Sequence, residues 1–345
     1  MRPALTPSDA TARRAARRDG RLARRRSARR RRITRGAVIG VVALVAVYLV
    51  VPHIAGLERT WQRIHDGSPA WFAVAVLFEF ISFAGYVWLL RRIAGLSGWS
   101  AAWRITLAGV AATRVVTVAG AGGIAVTIQG LRNEGLSARE AVDRQAVDLI
   151  VLYGVFFGLM LLDGVLLLAA GHGPALSLAP ALIAGMVIAA ALGMARVPAS
   201  FERALQHRFG RPGHWLAAFP ASVAAGVRGA IGLLRRRDPA LVGALAWWVF
   251  DVAAMWACIR AFGGTVSPPE VLMAYLAGHA FNVLPVPGGV GPVEGGLIAA
   301  LVAFGEPAGL ALVGVLSYQL VSVWLPAVPG AIALTRLRHH GASSR

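Results

Sequence analysis

Charged side chains inside long apolar segments are the residues of this sequence with the strongest potential for chemistry. A charge at the centre of a bilayer costs about 2.5 to 3.5 kcal/mol on insertion scales, so it needs a partner, a water-filled cavity or a function. The charged residues in such positions are Glu79, Arg114, Asp148, Asp251 and Glu294. We expect these residues to lie along a substrate path.

Two glycine-rich breaks interrupt apolar runs and add polar backbone groups to this set. One break, Ala119 to Gly123, divides the run 102–130, and the other, Pro285 to Pro292, divides the run 270–304. Such clusters stop a helix in mid-span. The amides of Gly288 and Gly289 precede a helix N-terminus, where anions bind favourably. Asn282 lies just before this break and can hydrogen-bond to the carbonyls that it frees.

Several of these residues also have a purely structural interpretation. Arg114 serves either as the counter-ion of a carboxylate or as an anchor for an anionic headgroup, because a guanidinium binds both. Arg144 precedes Asp148 by one helical turn, and this spacing favours an ion pair. Glu294 is placed to cap the helix that begins near Pro292. For His279 a packing role competes with a role as proton relay.

The composition assigns the chain to the membrane. It is 57% hydrophobic and 15% charged, with a mean hydropathy of +0.63, whereas soluble domains carry about a quarter charged residues. Apolar runs long enough to cross about 30 Å of hydrocarbon recur after residue 36.

The single cysteine, Cys258, excludes an intrachain disulfide and a cysteine-based metal cluster. No HExxH, GxSxG or phosphate-loop pattern with its partners is present, so we expect no enzyme, cofactor or metal.

The placement of arginine predicts the topology, because arginine accumulates in cytoplasmic loops. All 35 basic residues are arginine, with 14 in residues 1–35 and eight in 196–237. Both groups lie inside only if the run 102–130 enters and leaves the membrane on one face. Arg336 and Arg338 lie inside as well if the run 270–304 does the same from the outer face. The chain is therefore predicted to be an all-α integral membrane protein with six full spans, two opposed re-entrant helical hairpins and both termini in the cytoplasm. The basic tail has no interleaved aromatic residues, which favours the anionic inner leaflet over nucleic acid as its partner.

The two hairpins also mark an inverted repeat. Pro69-Ala70 recurs as Pro239-Ala240, and Gly122-Gly123 recurs as Gly288-Gly289, at offsets between 166 and 170. Inverted repeats with broken helices are typical of secondary transporters. The predicted organisation is a disordered tail (1–35), an anchor helix with an outer segment (36–68), a first repeat (69–170), an outer loop with one span and an amphipathic cytoplasmic segment (171–238), a second repeat (239–336) and a cytoplasmic tail (337–345).

The chain from about residue 69 to residue 336 resembles a known family, most specifically in the second repeat. The stretch Asn282 to Glu294, with its Pro-Gly-Gly-x-Gly-x-x-Glu pattern, and the stretch Tyr318 to Pro326 are similar to the flippase-like transmembrane region of lysylphosphatidylglycerol synthases. The first hairpin here lacks proline, and Gln319 stands where the family pattern has a basic residue. No soluble aminoacyl-transferase domain follows the last span, so the resemblance implies lipid translocation without lipid aminoacylation.

These observations lead to one main expectation about function. The protein is expected to be a translocase (flippase) or exporter of a lipid or lipid-linked amphiphile in the bacterial cytoplasmic membrane. Arg114 and the glycine amides would bind an anionic part, and Glu79, Asp251 and Glu294 would receive cationic groups or protons. The alternatives are a small-solute or ion transporter on the same scaffold, a membrane-embedded lipid transferase and a stand-alone scaffold. Membrane lipids are the expected partners, and the sequence does not determine the oligomeric state.

Overall fold

The computed structural model describes residues 67–115, 121–173, 175–196, 222–280 and 291–324, and these residues are helical apart from short connections. In chain order the helices are α1 (Pro69–Ala94), α2 (Trp99–Val115), α3 (Ala121–Asn133), α4 (Ala138–Ala169), α5 (Leu178–Ala195), α6 (222–235), α7 (Ala240–Ala261), α8 (Pro268–Ala280), α9 (Pro292–Ala303) and α10 (Ala308–Gln319), which continues as a π-helical turn (Leu320–Trp324). The predicted tails, the run 36–56 and the two hairpin tips lie outside the described residues.

Four of these helices are long and apolar enough to cross a membrane: α1, α4, α5 and α7. They correspond to four of the six predicted spans. Of the other two, the run 36–56 is outside the described residues and the run 308–335 is described only through α10 and its π-helical turn. The described part of the chain is thus an all-helical, multi-pass membrane protein.

Helix boundaries follow local capping signals more closely than they follow hydropathy. The helix α4 begins at Ala138, ahead of the apolar run 145–170. The Glu140 amide donates to Ser137 Oγ at 3.2 Å, and the Ser137 amide donates to Glu140 Oε2 at 2.9 Å. Because this reciprocal capping satisfies free amides of the first turn, the helix extends past the apolar run into polar residues.

The antiparallel pair of α1 and α7 forms the centre of the bundle. At one end the Ser68 amide donates to the Ala261 carbonyl at 2.9 Å, and at the other Trp88 Nε1 donates to the Pro239 carbonyl at 3.1 Å. Between them, Ser82 Oγ donates to the Trp247 carbonyl at 2.8 Å. These helices occupy equivalent positions in the two predicted repeats, and an inverted repeat requires such equivalents to run in opposite directions.

Two glycines allow α1 and α7 to approach each other closely. A Cβ atom added to Gly243 would lie 2.6 Å from the Gly85 carbonyl oxygen, and one added to Gly85 would lie 2.8 Å from the Gly243 carbonyl oxygen. Small residues are the usual means of close helix packing in lipid, where burial of apolar surface contributes little. The two backbones therefore meet directly at this crossing.

Polar contacts distinguish the two ends of the bundle. One end, which we call the basic end, carries the pairs Arg92–Asp238 at 3.4 Å and Arg104–Glu134 at 3.1 Å. The opposite end carries His172 Nε2 at 3.0 Å from Glu270 Oε1. The chain crosses between these ends in each of its four long apolar helices.

Each broken run begins and ends at the same end of the bundle. The Arg104–Glu134 pair joins the start of α2 to the residue after α3, at the basic end. In the second run, Glu306 Oε2 accepts the amides of Thr265 and Val266 at 3.2 Å each, which joins the end of α9 to the start of α8 at the opposite end. With 12 to 17 residues each, these helices extend about 18 to 26 Å, less than the hydrocarbon thickness.

The glycine contact between α1 and α7 generates a stability prediction. We expect Gly243→Ala to lower the free energy of unfolding by about 1 to 3 kcal/mol, because the new methyl group must displace backbone. Unfolding by SDS in mixed micelles measures this change. The matched control is Gly154→Ala in α4, where an added Cβ meets no atom within 4 Å, and alanine there should be neutral or stabilising. Equal losses in the two variants would contradict the proposed contact.

Candidate functional site

A buried polar cluster lies between α1, α7, α8 and α10 at mid-height of the bundle. Its members are Glu79, Asp251, Tyr275 and Tyr318, which are between 1% and 6% exposed, and we call them the central cluster. Asp251 lies near the middle of the 22-residue α7, about 15 Å along the helix from either end. The structure thus brings two of the sequence-predicted site residues, Glu79 and Asp251, into one neighbourhood.

The Asp251 carboxylate is the hydrogen-bonding centre of this cluster. Tyr318 Oη donates to Asp251 Oδ1 at 2.7 Å, and Tyr275 Oη donates a short hydrogen bond to Asp251 Oδ2. Each carboxylate oxygen therefore receives one phenolic hydroxyl, and the two phenols come from different helices. A carboxylate with this solvation is stable at a depth where water would otherwise be its only partner.

Glu79 brings a second carboxylate to the same place from α1. It lies close enough to interact electrostatically with the Tyr318 hydroxyl and with the thiol of buried Cys258. Two negative charges in a poorly solvated environment repel each other and lose hydration. Carboxylates at this depth attract positive charge, which makes the central cluster a candidate site for a cationic group or a proton.

Aromatic rings enclose the cluster on the side of α8. The His279 ring stacks on the Tyr275 ring with a centroid distance of 4.0 Å, and His279 Nδ1 is 3.0 Å from the Tyr275 carbonyl. Trp248 places its edge against both rings and donates from Nε1 to the Leu152 carbonyl at 2.8 Å. These contacts fix the orientation of Tyr275, and they give His279 a packing role whether or not it also carries protons.

Asp148 forms a second buried polar site, and its partners differ from those expected. Its side chain is fully buried in α4, and Gln145 Nε2 donates to Oδ2 at 3.5 Å. Arg144 instead donates from Nη1 to the Ile93 carbonyl at 2.9 Å. The expected Arg144–Asp148 ion pair is thus replaced, because the long arginine side chain extends to the basic end while Asp148 faces the interior.

The remaining predicted site residues fall into two groups. The amide of Gly291 donates to Glu294 Oε2 at 2.6 Å, so Glu294 caps the N-terminus of α9, as its structural interpretation anticipated. Gly291 has a φ of +119°, a conformation that favours glycine. The backbone of Arg114 belongs to α2, but its side chain, together with Asn282, Gly288 and Gly289, lies outside the described residues.

The two tyrosines are functional candidates that the analysis of deep charges did not identify. A buried tyrosine hydroxyl needs a hydrogen-bond partner, and each of these sits in an apolar helix at a depth similar to that of a carboxylate. A tyrosine at the depth of a carboxylate in an apolar helix is therefore the sequence feature that could have identified these two residues. Gln319, beside Tyr318, is 5% exposed and immediately precedes the π-helical turn, a distortion frequent at functional sites.

The four apolar spans and the buried polar cluster define a multi-pass α-helical membrane protein. The family model for the lysylphosphatidylglycerol synthase TM region matches residues 35–330, and the chain belongs to this family. The resemblance carried by the Pro-Gly-Gly-x-Gly-x-x-Glu stretch is thereby confirmed. None of the curated proteins matches the chain.

The hydrogen bonds to Asp251 generate a second stability prediction. We expect Tyr275→Phe and Tyr318→Phe each to lower the free energy of unfolding by about 1 to 3 kcal/mol, because each leaves one buried carboxylate oxygen without its donor. SDS-induced unfolding measures the loss. Tyr153→Phe is the matched control, because this side chain is 50% exposed on α4. If all three variants behave alike, the hydroxyls do not contribute through Asp251.

Proposed function

We propose that the protein is a translocase or exporter of a lipid or lipid-linked amphiphile in the bacterial cytoplasmic membrane. The observation that carries this proposal is that Glu79 and Asp251, one carboxylate from each of the equivalent helices α1 and α7, both lie near the buried Tyr318 hydroxyl at mid-height of the bundle. Membership of the lysylphosphatidylglycerol synthase TM region family supports a lipid substrate. In this proposal the substrate crosses the membrane chemically unchanged.

The mechanism follows from the positions of the two broken runs. The pair α2 and α3 is anchored at the basic end, and the pair α8 and α9 is anchored at the opposite end. A headgroup would pass between these pairs while its acyl chains stay in lipid. Near the centre, the Asp251 and Glu79 carboxylates would attract a cationic group or a proton. When no cationic group is bound, the Tyr275 and Tyr318 hydroxyls would donate hydrogen bonds to Asp251, so that its charge stays solvated.

The distribution of charge supports an orientation for this path. The basic end carries Arg92, Arg104 and Arg144, whereas the opposite end carries Arg260 and His172. By the positive-inside rule we assign the basic end to the cytoplasm, with both termini on that side. The arginine-rich tail 1–35 would then contact the anionic inner leaflet. Opposed hairpins on an inverted repeat complete this arrangement.

A small-solute or ion transporter on the same scaffold is the second candidate. The enclosure of the central cluster favours it, because Asp251 is only 6% exposed and a headgroup is larger than an ion. A lipid translocase must open the bundle sideways, whereas an ion carrier needs only rearrangement near the cluster. The two candidates therefore differ in whether lipid moves between leaflets.

Leaflet exchange in liposomes tests the proposal. We expect reconstituted protein to accelerate the exchange of at least one fluorescent lipid among cationic, zwitterionic and anionic headgroup classes. Asp251→Asn and Glu79→Gln should each reduce this exchange by tenfold or more, because removing a deep charge removes an interaction made only in the membrane interior. Asp143→Asn is the matched control, since this carboxylate is exposed near the start of α4.

The same liposomes separate the two candidate functions. Protein-dependent proton or cation flux without lipid exchange would favour the solute or ion transporter. Neither activity across the lipid classes would contradict transport altogether. Equal loss in Asp143→Asn and Asp251→Asn would show that the central cluster is not part of the path.

Cysteine labelling tests the proposed topology. The native Cys258 is buried and can be replaced by alanine, after which single cysteines report exposure. We expect Arg132→Cys to react with a membrane-impermeant maleimide only from the cytoplasm, and Ala175→Cys and Thr265→Cys only from outside. All three positions are exposed, so absence of reaction on one side reflects the membrane. Labelling of position 132 from outside would overturn the assigned orientation and the opposed hairpins.

A further inference from the structure

A cleft of about 380 Å³ opens between the last turn of α5 and the helix α6. Arg196 and Leu192 line it from α5 and its C-cap, and Arg228, Ile231 and Arg235 line it from α6. Arg228 Nη1 donates to the Ala195 carbonyl at 3.4 Å, which joins the two helices at the base of the cleft. We call this the arginine cleft.

The fold holds the arginine side of α6 toward this cleft. Arg228, Ile231 and Arg235 are spaced three and four residues apart, which places them on one face of a helix. Glycines elsewhere on α6 contact α4: a Cβ on Gly226 would lie 3.1 Å from the Ala146 carbonyl oxygen, and one on Gly229 would lie 2.6 Å from Val147 Cγ2. Because α6 lies closely against α4, it cannot rotate to carry its arginines away.

Positive charge dominates the described lining of the cleft. Among the described residues, this lining contains three guanidinium groups and no carboxylate. Within the described residues, the acidic partners in ion pairs belong to Arg92, Arg104 and His172, and none belongs to a cleft arginine. Guanidinium groups form bidentate, charge-assisted hydrogen bonds with phosphate oxygens, so three of them around one space favour a phosphate ligand.

The position of the cleft along α5 indicates where such a phosphate would come from. Arg196 directly follows the 18-residue apolar helix α5, so the cleft lies at the boundary between hydrocarbon and headgroups. Leu192 is 41% exposed and Ile231 is half-buried, and together they give the cleft an apolar wall on its lipid side. A ligand with a phosphate and an adjoining apolar part fits both features.

We propose that the arginine cleft binds the phosphate of an anionic phospholipid from the leaflet that adjoins the basic end. This binding does not depend on the transport function, because the cleft shares no residue with the central cluster. Free phosphate has the same charge chemistry, but it makes no use of the apolar wall. The two sources are therefore separable by experiment.

Native mass spectrometry of the full chain in detergent tests the site. Short-chain phosphatidylglycerol is titrated as the probe, with short-chain phosphatidylcholine as the zwitterionic comparison and inorganic phosphate as competitor. We expect saturable binding of phosphatidylglycerol that is weakened on the order of tenfold in Arg228→Gln/Arg235→Gln, since two of the three guanidinium groups around the phosphate are removed. Phosphatidylcholine should bind less tightly than phosphatidylglycerol and be insensitive to the substitutions.

Two further variants keep the test decisive. Arg132→Gln/Arg139→Gln removes two exposed arginines elsewhere on the chain, and it should leave phosphatidylglycerol binding unchanged. Arg235→Gln alone keeps the Arg228 contact with α5, so it should weaken binding severalfold without loosening the helices. Equal weakening in the two double variants, or equal binding of both lipids, would overturn the proposal. Competition by inorganic phosphate at the concentration of the lipid itself would overturn the lipid assignment in favour of a soluble phosphate.

Discussion

The solvation of one carboxylate at membrane depth is the constraint on which the arrangement of this bundle depends. Asp251 is buried in the middle of α7, where an unpaired charge or polar group costs several kcal/mol. Its two oxygens accept hydroxyls from α8 and α10, so these helices must converge on α7. The position of α8 is therefore fixed at its middle by Tyr275 and at its start by the contact of Glu306 with the preceding backbone.

In lipid, helices associate through close backbone packing, because burial of apolar surface contributes little to their association. The Gly85 carbonyl lies against α7, and the Gly243 carbonyl lies against α1. Likewise, a Cβ on Gly278 of α8 would lie 2.6 Å from Leu297 of α9. Lipid tails are as apolar as leucine, so tight contact and interhelical hydrogen bonds contribute most to association. The exposed apolar side chains of α5, among them Met186 at 64% exposure, are suited to contact with lipid.

The sequence predicts this fold best where a physical effect acts locally. Apolar length predicted the four long spans. The first glycine break was predicted too far along the chain, because Ala121, Gly122 and Gly123 form the first turn of α3. The helix α4 begins before the apolar run 145–170, because the capping box at Ser137 and Glu140 does not register in hydropathy. The family assignment succeeded because one short pattern of proline, glycine and glutamate is specific.

Long-range pairing is where sequence reasoning reached its limit. Helical spacing favoured Arg144 as the partner of Asp148. The long Arg144 side chain instead extends to the end of the bundle, where it donates to the Ile93 carbonyl. The tyrosines of the central cluster were missed because their contacts are distant in sequence. Asp251 and Tyr318 are 67 positions apart, and such a separation gives no local signal of contact. The glycine amides and Asn282 remain predictions.

The order of charges along the bundle limits what could move through it under the proposed function. The basic end presents arginines, which favour phosphate, whereas the central cluster presents two carboxylates. An anionic headgroup would be attracted at the basic end and repelled at the centre, unless a cation moved with it. A headgroup that carries both a phosphate and an amine is favoured at both levels, because each charge meets its opposite. Under the proposed function, the same arrangement would therefore favour amphiphiles with a cationic group over purely anionic ones.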